Sequence, residues 1–86
     1  MFQFIQRNNY EATQLDDEWI ILNTDNYTIT RVNDLGGFCW LMLDKPQTVV
    51  SIHKEIIKNF ETSTNEKDIE SFLNYLVEYG LVQYAS

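Results

Sequence analysis

His53 and Cys39 are the single histidine and single cysteine of the 86-residue chain, and nucleophilic or acid–base chemistry would have to begin with them. A thiol becomes a nucleophile when a base such as imidazole takes its proton. Cys39, however, sits between Phe38 and Trp40 in an apolar run that reaches Leu43, which reads as a small core residue rather than a nucleophile. His53 lies beside Lys54 and Glu55 with no partner nucleophile in view, and reads as an exposed helix residue. The carboxylate pairs Asp16/Asp17 and Glu66/Asp68 suggest acid–base or metal work. Adjacent strand residues point to opposite faces, though, and carboxylates at a helix start are held by the macrodipole, so the structural reading is favoured for both. A zinc site needs more Cys and His than the chain has. Gly36-Gly37 lacks both the spacing and the lysine of a phosphate loop. The chain is therefore read as not an enzyme, with no cofactor and no metal.

What the elements position is then a binding surface. Residues 2 to 7 alternate weakly, with Phe2 and Phe4 against Gln3 and Gln6, and predict a first strand followed by a polar stretch, NNYEAT. Two β-rich runs follow, Trp19 to Leu22 and Tyr27 to Val32. Asn23, Thr24, Asp25 and Asn26 between them bond their own backbone readily, so the pair predicts a β-hairpin. In its second strand Thr28, Thr30 and Val32 point one way and Tyr27, Ile29 and Arg31 the other. From Asn33 or Asp34 the period changes to that of a helix, with Leu35, Phe38, Cys39 and Met42 at three- and four-residue spacing.

Gly36 and Gly37 in the first turn of that helix each cost roughly 1 kcal/mol relative to alanine. Either something packs closely against them or they merely loosen the helix start. Asp44, Lys45 and Pro46 end the helix. Thr48 caps a second one, whose apolar face is Val49, Ile52, Ile56, Ile57 and Phe60. After a polar loop over residues 62–65, a third helix runs from about Glu66 to Tyr79, with Ile69, Phe72, Leu73, Leu76 and Val77 facing inward and Gly80 as a left-handed stop. Leu81 and Val82 pack or extend briefly. The expected architecture is one α+β domain over residues 1–86, in the order β-β-β-α-α-α.

Composition narrows the partner. At 44% hydrophobic and 14% aromatic residues the chain is too apolar for disorder, while its longest apolar run is far too short to span a membrane. With no secretory signal in view, a cytoplasmic location is expected. A lone cysteine excludes a disulfide-stapled scaffold. The net charge of -7, with six scattered Lys and Arg, disfavours nucleic acid, whose binding releases counterions through basic side chains, and suits a neutral or basic peptide. A three-stranded sheet has open edges that can template an incoming strand or pair with a second copy. On the third helix Phe72, Tyr75 and Tyr79 fall on one flank with Asp68 in line, apolar in body and polar at the tip, as in many peptide grooves.

Taken in order, the hairpin ending YTITRVN, the helix DLGGFCWLML, then TVVSIHKEI and DIESFLNYLVEYGLV resemble the PqqD-like family, the peptide-recognition domains of ribosomal peptide natural-product pathways. The likeness runs from about Leu15 to Val82, with Val32-Asn33 where the family usually has Leu-Asn. It implies a winged-helix-like fold, a three-stranded antiparallel sheet followed by three helices, without catalytic residues. It further implies that a precursor's leader peptide adds as a strand along Tyr27, Thr28, Ile29, Thr30, Arg31 and Val32. The peptide's side chains would press against Asp68, Phe72, Tyr75, Leu76 and Tyr79. Partners would be a leader peptidase and a cyclase of a lasso-peptide pathway. Alternatives are a peptide chaperone for a radical enzyme, a winged-helix DNA-binding regulator and a plain subunit of a larger enzyme.

Overall fold

The computed structural model describes residues 2–60 and 64–85. The chain runs through β1 (Phe4–Gln6), β2 (Tyr10–Leu15), β3 (Glu18–Asn23), β4 (Ile29–Asn33), α1 (Asp34–Met42), α2 (Val49–Asn59), α3 (Glu66–Glu78) and β5 (Val82–Tyr84). The α+β class, the three-stranded antiparallel sheet and the three helices all stand, with the sheet ordered β2-β3-β4. Among the described residues no helix is long and apolar enough to cross a membrane.

The segments that supply the sheet differ from expectation. Its first strand is β2, drawn from the stretch read as polar, because an edge strand needs only one apolar face. Tyr10 and Ala12 lean on the core, whereas Glu11 and Thr13 face water. Asp16 adopts a φ of 56°, tolerable for Asp, and with Asp17 turns β2 into β3. These two carboxylates are thus turn residues, not neighbours on a strand. The predicted strand at residues 2 to 7 shortens to β1 and joins a separate two-stranded ribbon with β5, pairing Phe4 with Tyr84 and Gln6 with Val82. On its other side Phe4 exchanges backbone bonds with Gln47, at 2.7 and 2.9 Å.

Tyr27 and Thr28 also leave the strand in which they were placed. Asn23 Oδ1 accepts from the Asp25 backbone N–H at 2.8 Å, and Asn26 Oδ1 accepts from the Thr28 N–H at 3.1 Å, which carries the turn on through Tyr27 at a φ of 59°. β4 therefore begins at Ile29.

Each helix starts where a side chain satisfies an orphan N–H. Asn33 Oδ1 accepts from Gly36 at 2.7 Å, Thr48 and Ser51 form a reciprocal capping box, and Asn65 Oδ1 accepts from Asp68 at 2.9 Å. The helices cover one sheet face, burying Ile21 and Val32 with Leu43, Ile52, Ile56 and Leu73. At Gly37 an added Cβ would fall inside the Trp19 ring, so close packing accounts for that glycine. Gly80 ends α3 at a φ of 79°.

Tyr10 ties the sheet to that helix end. Its hydroxyl donates to the Gly80 carbonyl at 2.7 Å and accepts from Asn23 Nδ2 at 3.1 Å. Tyr10→Phe strands both partners in a half-buried place and should lower stability by about 1–2 kcal/mol, read as a shifted urea midpoint with unchanged slope.

Candidate functional site

β4 is an edge of the sheet, and its register defines what that edge offers. Leu22 lies opposite Ile29 and Ile20 opposite Arg31, in line with the Asn23 N–H that donates to the Thr28 carbonyl at 2.9 Å. In an antiparallel ladder the bonded pairs alternate. The peptide groups of Thr30 and Val32 therefore turn toward β3, and those of Ile29 and Arg31 turn outward. No described strand pairs with them. Side chains alternate too: Val32 is buried, whereas Ile29 is 61% exposed and Arg31 reaches across the outer face to Glu18 at 3.1 Å.

From the end of β4 the surface dips into a cavity of about 210 Å³ between the start of α1 and α3. Its mouth carries Asn33 and Asp68, and Cys39, Ile56 and Ile69 lie among its apolar walls. Gly36 makes the corner possible. A Cβ there would stand 3.0 Å from Val32 Cβ and 3.1 Å from the tip of the Phe72 ring, so a larger residue would press on both the strand and α3. Phe72 lines the cavity and begins an aromatic row along α3. Its ring stacks on Tyr75 at 6.4 Å, and Tyr75 meets Tyr79 at 4.5 Å. Tyr75 and Tyr79 are 42% and 62% exposed, so the row presents a large aromatic surface to solvent.

The structure thus groups Val32, Asp68 and Phe72 around one corner, and continues through Tyr75 and Tyr79. Ile29, Thr30 and Arg31 lie along the strand leading into it, while Tyr27 and Thr28 belong to the preceding turn. Leu76 is fully buried in the core and does not face a ligand. Asn33, Leu35, Gly36, Cys39, Ile56 and Ile69 were not picked out as site residues. The one signal for them was the glycine pair.

The thiol in the wall of this corner, Cys39, is buried. Burial pushes the Cys39 thiol up to about 11, against a smaller opposing effect of a backbone hydrogen bond. His53 is not the exposed residue expected. It is half-buried, with Nε2 3.1 Å from the Thr64 carbonyl oxygen and Nδ1 3.8 Å from Glu66, and it braces the segment entering α3.

The family model described as Coenzyme PQQ synthesis protein D (PqqD) matches residues 18–82. No curated protein matches the chain. Solved structures share the fold. TbiB1 in complex with the TbiA(beta) leader peptide superposes with a TM-score of 0.76 at 23% identity, over 95% of this chain and 99% of that one. Lasso peptide synthetase B1 complexed with the leader peptide does so with a TM-score of 0.74 at 18% identity, over 93% and 96%.

Proposed function

Since the chain belongs to the PqqD family, we propose that it is a non-catalytic module that binds the leader peptide of a ribosomally made precursor by adding it as a strand to β4. The observation that carries this reading is the open, outward-facing edge at Ile29 and Arg31 running into a cavity flanked by the aromatic row of α3. The backbone edge supplies affinity without regard to side chains. Every second leader residue then points toward Asp68, Phe72, Tyr75 and Tyr79, which supply selectivity. In keeping with this, TbiB1 and lasso peptide synthetase B1 were each solved with a leader peptide.

The fold is winged-helix-like, with the β2-β3-β4 sheet as the wing beside α3. The bound precursor passes to a leader peptidase and a cyclase in the cytoplasm, and the pathway is of the lasso type, which the name of the second relative supports. β4 can also pair with β4 of another copy, a dimer that would compete with the leader.

Titration of the leader encoded beside this chain tests the proposal. Binding should saturate, and Tyr75→Ala or Tyr79→Ala should weaken it about tenfold, the effect of losing roughly 1.4 kcal/mol of aromatic contact. Failure of every neighbouring precursor leader to bind would overturn it.

A further inference from the structure

A second groove lies on the other side of α3. At about 3.6 residues per turn, Glu66, Glu70 and Asn74 form a row on the flank nearly opposite Phe72, Tyr75 and Tyr79. That row is one wall of a groove of about 630 Å³, within the range of sites that hold ligands. The facing wall is aromatic and comes from the terminal ribbon. Tyr84 of β5 packs on Phe2 at 5.5 Å and on Phe4 of β1 at 5.3 Å, while Val49 at the start of α2 adds apolar surface. Phe2 is 70% exposed and Tyr84 51%, although the core lies directly behind them at Phe4. Tyr84 also reaches across to Asn74, its hydroxyl 3.4 Å from Oδ1.

Aromatic rings on one side and carboxylates on the other suit one kind of group, a cation on an apolar stem. An Arg or Lys side chain can lay its head over a ring and pair it with a carboxylate, while its methylenes cover apolar surface. We infer that this groove takes an Arg- or Lys-bearing segment of a second protein, held between Tyr84 and Phe2 on one side and Glu66 and Glu70 on the other. Charge argues for such a partner. Among the described residues the groove carries two carboxylates against the ammonium of Lys67, on a chain of net charge -7. A second copy of this chain, with the same net charge of -7, offers this acidic groove no matching charge. Because the two grooves lie on opposite flanks of α3, a peptide at β4 and a basic partner here can be bound together. The inference does not depend on the β4 edge being a leader site.

The probe is an acetylated, amidated peptide alternating leucine and arginine, with leucine–glutamate and leucine–glutamine counterparts, titrated into the isotope-labelled full chain and followed by amide chemical shifts. Saturable shifts are expected at Phe4, Glu70, Asn74 and Tyr84 with the arginine peptide alone. Glu70→Lys, an exposed change that leaves the packing intact, should weaken them at least about tenfold, and Tyr84→Ala should do the same. Ile29→Pro should leave them unchanged, which separates this groove from the β4 edge. Shifts equal in size at Asp16 and Asp17, shifts confined to β4, equal shifts with the glutamate peptide, or no shifts would each overturn the inference.

Discussion

Gly37→Ala should cost about 3 kcal/mol or more, the largest loss expected for a methyl group added at any of the three glycines. Helix propensity alone predicts the opposite, a gain of roughly 1 kcal/mol for replacing glycine within a helix. Sterics decide the sign. The new Cβ would occupy the place of the Trp19 ring atoms, and that half-buried ring packs against the core. Either Trp19 leaves the core or α1 lifts off the sheet, and both expose apolar surface. In an 86-residue domain, whose stability is of the order of 5–10 kcal/mol, the urea midpoint should fall steeply. A midpoint unchanged or raised would show that α1 is not seated on Trp19.

Ile29→Pro should weaken leader binding about tenfold or more while leaving the fold in place. Its N–H points away from β3, so proline removes no bond of the existing ladder but deletes a donor the incoming strand would use. One lost backbone bond accounts for about 1 kcal/mol, and the ring at an edge position hinders the close approach of the neighbouring strand, adding to the loss. Isothermal titration of the variant, beside its urea midpoint, separates the two effects. Full affinity would show that the peptide does not pair along β4.

Helices were legible in the sequence because their signals are local. Thr48 and Ser51 announce α2, and Ile69, Leu73 and Leu76 give α3 its inward face. β2 was illegible because an edge strand with one watery face, YEATQL, shows too little apolar alternation to stand out. The ribbon of β1 with β5 joins the two ends of the chain, and no local pattern records such a pairing. Tyr27 and Thr28 were drawn into the strand by their β-propensity, which yielded to the side-chain bonds of Asn23 and Asn26.

Much the same division holds at the candidate site. Helical spacing places Phe72, Tyr75 and Tyr79 in one row, and the row exists. The inward face read from that spacing includes Leu76, which lies in the core; only the family resemblance set it among the peptide contacts. The cavity has no local signal because its walls come from α1, α2 and α3, which tertiary packing brings together.

Amide hydrogen exchange, measured residue by residue with and without the leader peptide, tests strand addition at β4 most directly. The account predicts that the outward N–H groups of Ile29 and Arg31 become strongly protected on binding, while the amides of β2, the other edge, exchange as in the free protein. Protection at β2 instead, or no change at Ile29 and Arg31 with the leader saturating, would contradict it.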